Sequence, residues 1–377
     1  MVQYTEQDVL RLAKRYNNAK RNYLLVNPLQ AKHIPVSPKT SLEMMHELGN
    51  KVAKTYPNAK LVIGFAETAT AIGAAVADCL SDDCIYICTT RETFDDAHKW
   101  VFFSEEHSHA TEQRLCGDNL KEWISNSQQI IFVDDEISTG KTLVNIIKQL
   151  KIDYPDIGSK EIIAASIINR LNENNMVQIS NAGLKSIFLV KLPEHNYSEI
   201  VDKFEVNSAR ALVCEKLLKT EYNTIPINTP IMDSRLGVNI REYFKNCDNV
   251  AIQVISAIGG ELITNKRVLV LGTEECMMPA LILGRKIEDM EVAKSVSCHS
   301  TTRSPIGVNS SIDYPIQNGF RLRSFYENER ETYIYNLRSY DIVLVLTDAP
   351  FIDEIAAKEL TSIMNQCGCE TILYIEG

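Results

Sequence analysis

The sequence predicts an α/β protein of two domains, each built on a mainly parallel sheet, the second a degenerate copy of the first. Three observations predict it. A chain of 377 residues holds about two domains. Short apolar runs alternate with helical stretches along most of its length, the rhythm of strand–helix–strand units. Three short anchors also recur in the same order in both halves. Gly64-Phe65-Ala66-Glu67 is matched by Gly272-Thr273-Glu274-Glu275, and Thr89-Thr90-Arg91 by Thr301-Thr302-Arg303. Ile131-Phe132-Val133-Asp134 is matched by Val345-Leu346-Thr347-Asp348. Ordered anchors at similar spacing point to a duplication; the bland alternative is a generic rhythm shared by two α/β domains.

The elements follow in order. Thr5-x-x-Asp8 reads as a helix start before Val9, Leu10 and Leu12, with Asn27-Pro28 ending that helix. Lys32 to Pro38 must be extended, because each proline restricts its predecessor. Thr40-x-x-Glu43 is a capping box opening a helix to about Tyr56. Leu61-Val62-Ile63 reads as a buried parallel strand, followed by an Ala-rich helix from Thr70 to Leu80. Strands are expected at 84–88, 129–133 and 161–168, a helix at 141–150, and a loop at 105–118, which is polar and without period. The irregular stretch 196–229 marks the boundary, giving domains of 1–205 and 226–377. Beyond it, strands are expected at 267–271, 292–298, 341–346 and 371–374, and helices at 276–287 and 351–364.

Composition bounds the function. Apolar residues make up 45% and charged residues 23%, which is ordinary globular composition. Lys plus Arg is 39 and Asp plus Glu is 49, a formal charge of −10. That balance argues against nucleic acid as a partner, because such binding rests on neutralised phosphates. It still allows a small anionic ligand. The ten cysteines include no CxxC pair, so buried thiols are expected rather than zinc or disulfides. With no signal peptide at its start and no apolar run of about 20 residues, the chain reads as a reduced, cytoplasmic protein away from membranes.

The chemistry sits in Ile130-Ile131-Phe132-Val133-Asp134-Asp135-Glu136-Ile137-Ser138-Thr139-Gly140-Lys141-Thr142. An apolar strand runs into two acids, a small-polar turn and a helix. Such a strand delivers Asp134 and Asp135 to the C-terminal edge of a sheet, where α/β ligands bind. Adjacent carboxylates can accept from the vicinal hydroxyls of a ribose and help order Mg²⁺. Ser138 to Thr142, at a helix N-terminus, makes a phosphate cradle. Gly140-Lys141-Thr142 mimics the end of a P-loop, but that motif needs glycine where Asp135 stands.

This stretch resembles the 5-phosphoribosyl 1-pyrophosphate (PRPP) signature of type I phosphoribosyltransferases, with Glu136 as a departure. Gly64 to Gly73, Lys32 to Pro38, Glu105 to Thr111 and Thr302-Arg303-Ser304-Pro305 extend the likeness. Together they resemble the two-part phosphoribosyltransferase-like proteins of bacterial tellurite-resistance and stress clusters, whose C-terminal domain is named for Thr-Arg-Ser-Pro. The resemblance implies phosphoribosyltransferase-like folds for both domains. It also implies that Asp134 and Asp135 hold the ribose hydroxyls and Mg²⁺, and that Ser138, Thr139, Gly140, Lys141 and Thr142 hold the 5-phosphate. Ala66, Glu67 and Thr68 fall in the pyrophosphate loop, with Thr70 beside them. Glu67 serves there through Mg²⁺ or caps the next helix. Arg91 is a diphosphate ligand or a surface arginine. Glu136 binds metal, acts on the acceptor or points to solvent.

Glu105 to Thr111 occupies the lid position, and a lid suits a centre that water would hydrolyse. His107 and His109 there could move a proton, join a metal site, or belong to a solvated loop. Lys32 to Pro35 forms either a hood over the acceptor or an edge segment. The second half has lost the diacid, and Pro350 removes one N–H from any cradle. Its Thr302, Arg303 and Ser304 hold an anion or form a structural turn.

The expected activity is that of a glycosyltransferase of nucleotide metabolism. It moves ribose 5-phosphate from Mg·PRPP to a small-molecule acceptor with release of pyrophosphate. The alternatives are a non-catalytic PRPP or nucleotide sensor and a PRPP-synthetase-like pyrophosphokinase. Self-association is compatible with the family.

Overall fold

The computed structural model describes residues 3–18, 21–92, 96–103, 113–211 and 220–376. Contacts divide the chain into two units. The first comprises Met1–Glu6, Glu43–His195 and Met232–Lys245, and the second Gln7–Leu42, Asn196–Ile231 and Asn246–Gly377. This division differs from the expected one, which placed 7–42 and 196–205 in the first domain and 232–245 in the second. The cause is pairing. Val238–Asn239 adds an antiparallel edge strand inside the first unit, opposite Ile85 and Tyr86. In the second unit, Ala13, Leu24 and Val26 bury against Ile306, Tyr314 and Ile316.

The first unit carries β1 (Ala59–Gly64), α1 (Thr70–Asp78), β2 (Ile85–Cys88), β3 (Gln129–Ile137), α2 (Lys141–Asp153), β4 (Glu161–Asn169) and β5 (Leu184–Lys191). From the 238–239 edge strand the sheet runs β2-β1-β3-β4-β5, and these five are parallel. Ile63, Phe132, Ile146 and Leu150 meet in its core. The second unit carries β6 (Arg267–Gly272), α3 (Met278–Asp289), β7 (Ser295–Ser300), β8 (Ile342–Leu346), α4 (Glu354–Gln366) and β9 (Thr371–Glu376). Its sheet runs from Asn223–Pro226 through β9, β8 and β6 to β7, parallel throughout.

The matched anchors make matching hydrogen bonds. The Thr89 N–H donates to Gly64 O at 2.9 Å, and that of Thr301 to Gly272 O at 3.1 Å. The Ala66 N–H donates to Thr89 Oγ1, and the Glu274 N–H to Thr301 Oγ1, both at 2.9 Å. Thr90 exchanges backbone bonds with Arg114, and Thr302 with Tyr333. The register corrects one anchor. Gly64 pairs with Val133 and Gly272 with Leu346. Val133 therefore corresponds to Leu346, and Asp348 answers Asp135 rather than Asp134.

Three local expectations are also corrected. The helix expected from Thr5 to Asn27 is confined to Glu6–Val9. Arg11–Lys14 and Tyr23–Val26 instead form an antiparallel pair. The next helix begins at Pro38 rather than Thr40. Ser37 caps it, its Oγ accepting from the Thr40 N–H at 3.3 Å, with proline in the first turn where no donor is needed. In the stretch read as a loop, Gln113–Cys116 is a strand paired with Trp100–Phe103.

Tyr86 fixes how α1 meets the sheet. Its hydroxyl donates to Thr70 O at 2.6 Å, and its ring lies over two glycines. A Cβ on Gly73 would fall 2.8 Å from Tyr86 Cε2 and 3.0 Å from Gly64 Cα. Overpacking of this kind costs roughly 1–3 kcal/mol, partly offset by the gain of about 1 kcal/mol from alanine in a helix. Gly73→Ala is therefore expected to lower unfolding free energy by up to about 2 kcal/mol in urea titration. A raised midpoint would refute the close approach.

Candidate functional site

Parallel strands share a direction, so their C-terminal ends share an edge. In the first unit β1 ends at Gly64, β2 at Cys88 and β3 at Ile137. Ala66, Glu67 and Thr68 follow β1, Arg91 follows β2, and Ser138 to Thr142 follow β3. Asp134 and Asp135 lie in the last turn of strand before that edge. The fold thus brings these expected residues of the first unit to one end of one sheet.

Asp134, Asp135, Ser138, Thr139 and Thr142 are half-buried, Gly140 is buried and Lys141 is exposed. Asp134 Oδ1 accepts from the Asp135 N–H at 2.9 Å. Asp135 Oδ1 accepts from the Thr68 hydroxyl at 2.7 Å, so the diacid is tied directly to the loop after β1. Thr139 Oγ1 accepts from the Lys141 N–H at 3.3 Å. Gly140 is the N-cap of α2 at φ 75°, in the left-handed region, and has no side chain to cap the helix itself. Only glycine fits, because a Cβ would meet Ile179 Cδ1 at 2.4 Å. The turn therefore presents backbone N–H groups at the positive end of a helix.

The loop after β1 is held from two sides. The Phe65 N–H donates to Val133 O at 2.9 Å. Buried Gln113 then closes a ring. Its Nε2 donates to Ala66 O at 2.7 Å, while its Oε1 accepts from the Thr89 hydroxyl at 2.5 Å. The Ala66–Glu67 peptide is cis, and Glu67 is half-buried. Sequence reasoning missed Gln113, because a single glutamine in a polar stretch carries no signal of its own.

Glu136 faces other work. Its Oε1 accepts from Arg170 Nη1 at 2.6 Å, with side-chain exposures of 10% and 13%. Of the three readings, the ion pair leaves solvent exposure behind. Arg170, just past β4, was also missed, since only the parallel register of β3 and β4 brings it near. His107 and His109 lie outside the described residues. Arg91 is half-buried. Lys32 belongs to the second unit, wholly buried, its Nζ donating to Glu274 O at 2.6 Å and Thr301 O at 2.9 Å. The described cysteines form no disulfide, and burial pushes the Cys79 and Cys84 thiols up to about 12.

In the second unit Thr302 is buried, and its Oγ1 accepts from the Ser304 N–H at 3.2 Å. Arg303 is engaged by carboxylates of its own chain: Nε reaches Glu274 Oε2 at 2.6 Å and Nη2 reaches Glu275 Oε1 at 3.0 Å. Asp348 Oδ1 accepts from the Tyr326 hydroxyl at 2.5 Å, as Asp135 accepts from Thr68. Among the described residues no group of three or more His, Cys, Asp or Glu side chains could hold a metal ion. None of the described helices is long and apolar enough to cross a membrane.

Comparison with curated proteins gives no match. Among solved structures, similarity is found to an adenine phosphoribosyl transferase from Trypanosoma brucei, in complex with AMP, pyrophosphate and ribose-5-phosphate. Identity is 15% over 57% of this chain and 89% of that one, with a TM-score of 0.37. It is also found to an orotate phosphoribosyltransferase from Aeropyrum pernix, at 16% identity over 52% of this chain and 93% of that one, with a TM-score of 0.32. Residues 9–191 match the model of a phosphoribosyl transferase family. Residues 232–364 match the TRSP domain described as C-terminal to that family's domain. Each half of the chain thus matches one family model, a phosphoribosyl transferase domain in the first and a TRSP domain in the second.

Proposed function

We propose that the first unit transfers ribose 5-phosphate from PRPP to a small nucleophilic acceptor, releasing pyrophosphate. One observation carries the reading. The half-buried diacid of β3 is hydrogen-bonded to the loop after β1 through Thr68 and Asp135, and it stands just before a helix whose N-cap is a left-handed glycine. Vicinal hydroxyls would meet carboxylates there, and a phosphate would meet backbone N–H groups.

In this reading Asp134 and Asp135 accept from the two ribose hydroxyls. Ser138 to Thr142 hold the 5-phosphate, while the backbone of Ala66 to Thr68, with Arg91, faces the pyrophosphate. Carboxylate and hydroxyl oxygens suit a hard cation. The two aspartates would hold Mg²⁺, with the substrate and water completing its shell. Bound there, the ion would neutralise the pyrophosphate. The acceptor atom bonds to the anomeric carbon as the bond to pyrophosphate breaks. The electron pair leaves with pyrophosphate, and the acceptor gives up a proton. Fixed donors around the leaving group and carboxylates under the ribose stabilise the cationic sugar at the transition state. Gln113 acts as a positioning residue, since its two bonds fix the Ala66 carbonyl and the Thr89 hydroxyl. Glu136, clamped by Arg170, positions the end of β3.

Calorimetry of the full chain with PRPP and Mg²⁺ is expected to show one site, with pyrophosphate release once a suitable metabolite pool is added. Absence of binding would refute the reading, and binding without release from any pool would favour a sensor. Asp135→Asn removes a charged acceptor, worth roughly 1.5–3 kcal/mol. It should weaken PRPP binding by about 10- to 100-fold at nearly unchanged Tm.

Glu136→Gln separates positioning from proton transfer. It is expected to lower Tm by a few degrees and to leave the pH profile of turnover unmoved. A shifted profile at unchanged Tm would make Glu136 a catalytic group.

A further inference from the structure

The second unit keeps the two places where the first presents anion-binding groups, and it fills both from its own chain. At the first place Glu274 stands where Ala66 stands, its N–H held by the Thr301 hydroxyl as that of Ala66 is held by Thr89. Glu274 has φ 43°, an uncommon conformation for a non-glycine residue. Its carboxylate is 1% exposed. Oε2 accepts from Arg303 Nε at 2.6 Å and Arg330 Nη2 at 3.0 Å. Oε1 accepts from the Ser324 hydroxyl at 2.5 Å. At the second place, the start of α4, Asp353 Oδ1 accepts from the Ala356 N–H at 2.8 Å, where the corresponding α2 has Gly140 and no side-chain cap.

We infer that the Glu274 carboxylate is an internal stand-in for a bound oxyanion, joining Arg303 to the Ser324–Arg330 turn and leaving no place there for a phosphorylated ligand. Two guanidinium groups and a hydroxyl converging on one carboxylate form the donor set that recognises phosphates and carboxylates. Ser324 and Arg330 lie between the strands Gly319–Arg323 and Glu331–Tyr335, which pair as a hairpin. The Glu274 carboxylate therefore fastens that turn to the loop after β6. Removing it leaves Arg303 and Arg330 without this counter-charge in a largely buried site, which is costly. A small external oxyanion would then fit the vacated space. The inference concerns the second unit alone and stands whether or not the first transfers ribose 5-phosphate.

The test is thermal unfolding of the full chain carrying Glu274→Ala or Glu274→Gln, in formate, acetate or chloride at equal ionic strength. Glu274→Ala is expected to lower Tm on the order of 5–10 °C. Formate or acetate should restore part of the loss, chloride none, and the wild-type chain should respond to neither. Glu274→Gln, which fills the space without the charge, should lose Tm without recovering it in formate. Wild-type Tm values in both variants would overturn the inference. So would a folded Glu274→Ala chain that responds to formate no more than to chloride. If Glu274→Ala is unfolded in chloride, refolding in formate decides: recovery supports the stand-in, and no recovery overturns it.

Discussion

A threonine hydroxyl just past a strand organises the first unit's candidate site. Thr89 Oγ1 accepts from the Ala66 N–H and donates to Gln113, so the loop after β1 is fixed to its neighbouring strand and to the hairpin beyond. A loop of this kind would otherwise carry unsatisfied backbone groups. With its backbone satisfied, the loop can offer Thr68 to Asp135. The parallel register does the rest, since Gly64 opposite Val133 sets the diacid beside that loop. Each link is a single hydrogen bond of modest net worth. Together they define one geometry.

The second unit shows what the same scaffold does when its ligand groups change. Thr301 repeats the work of Thr89, and Tyr326 with Asp348 repeats that of Thr68 with Asp135. Where the first unit has alanine in the loop, the second has glutamate. Where the first starts its helix at glycine, the second starts it at aspartate. In the proposed reading, these exchanges close two positions that the first unit offers to an anion. The closed version must satisfy every buried charge. Arg303, Arg330 and Ser324 supply the donors for Glu274, while Lys32 donates to the backbone carbonyls of Glu274 and Thr301.

Much of this was legible in the sequence, for identifiable reasons. The alternation of apolar runs with helical stretches fixes the α/β class, because parallel strands covered on both faces must be continuously apolar. The run Ile130 to Thr142 announces a strand, a diacid and a turn, all local features that sequence records. The repeated anchors were legible too, but only to within a residue. Val133-Asp134 and Thr347-Asp348 end alike, and only strand register shows that Asp348 answers Asp135.

What the tertiary structure alone decided is everything that depends on residues distant in the chain. Residues 5–27 read as helix by their start signal, and 7–42 read as part of the first domain by position. Burial of Ala13, Leu24 and Val26 against Ile306 and Tyr314 made part of them a strand pair of the second unit. Glu136 reads as a third acid for chemistry, yet Arg170 across the β3–β4 register claims it. Arg303 reads as an anion ligand, and its anions turn out to be Glu274 and Glu275. Local pattern fixes what a segment is and which end of the sheet it reaches. The partner of a charged side chain is a matter of packing between segments, and no spacing along the chain encodes it.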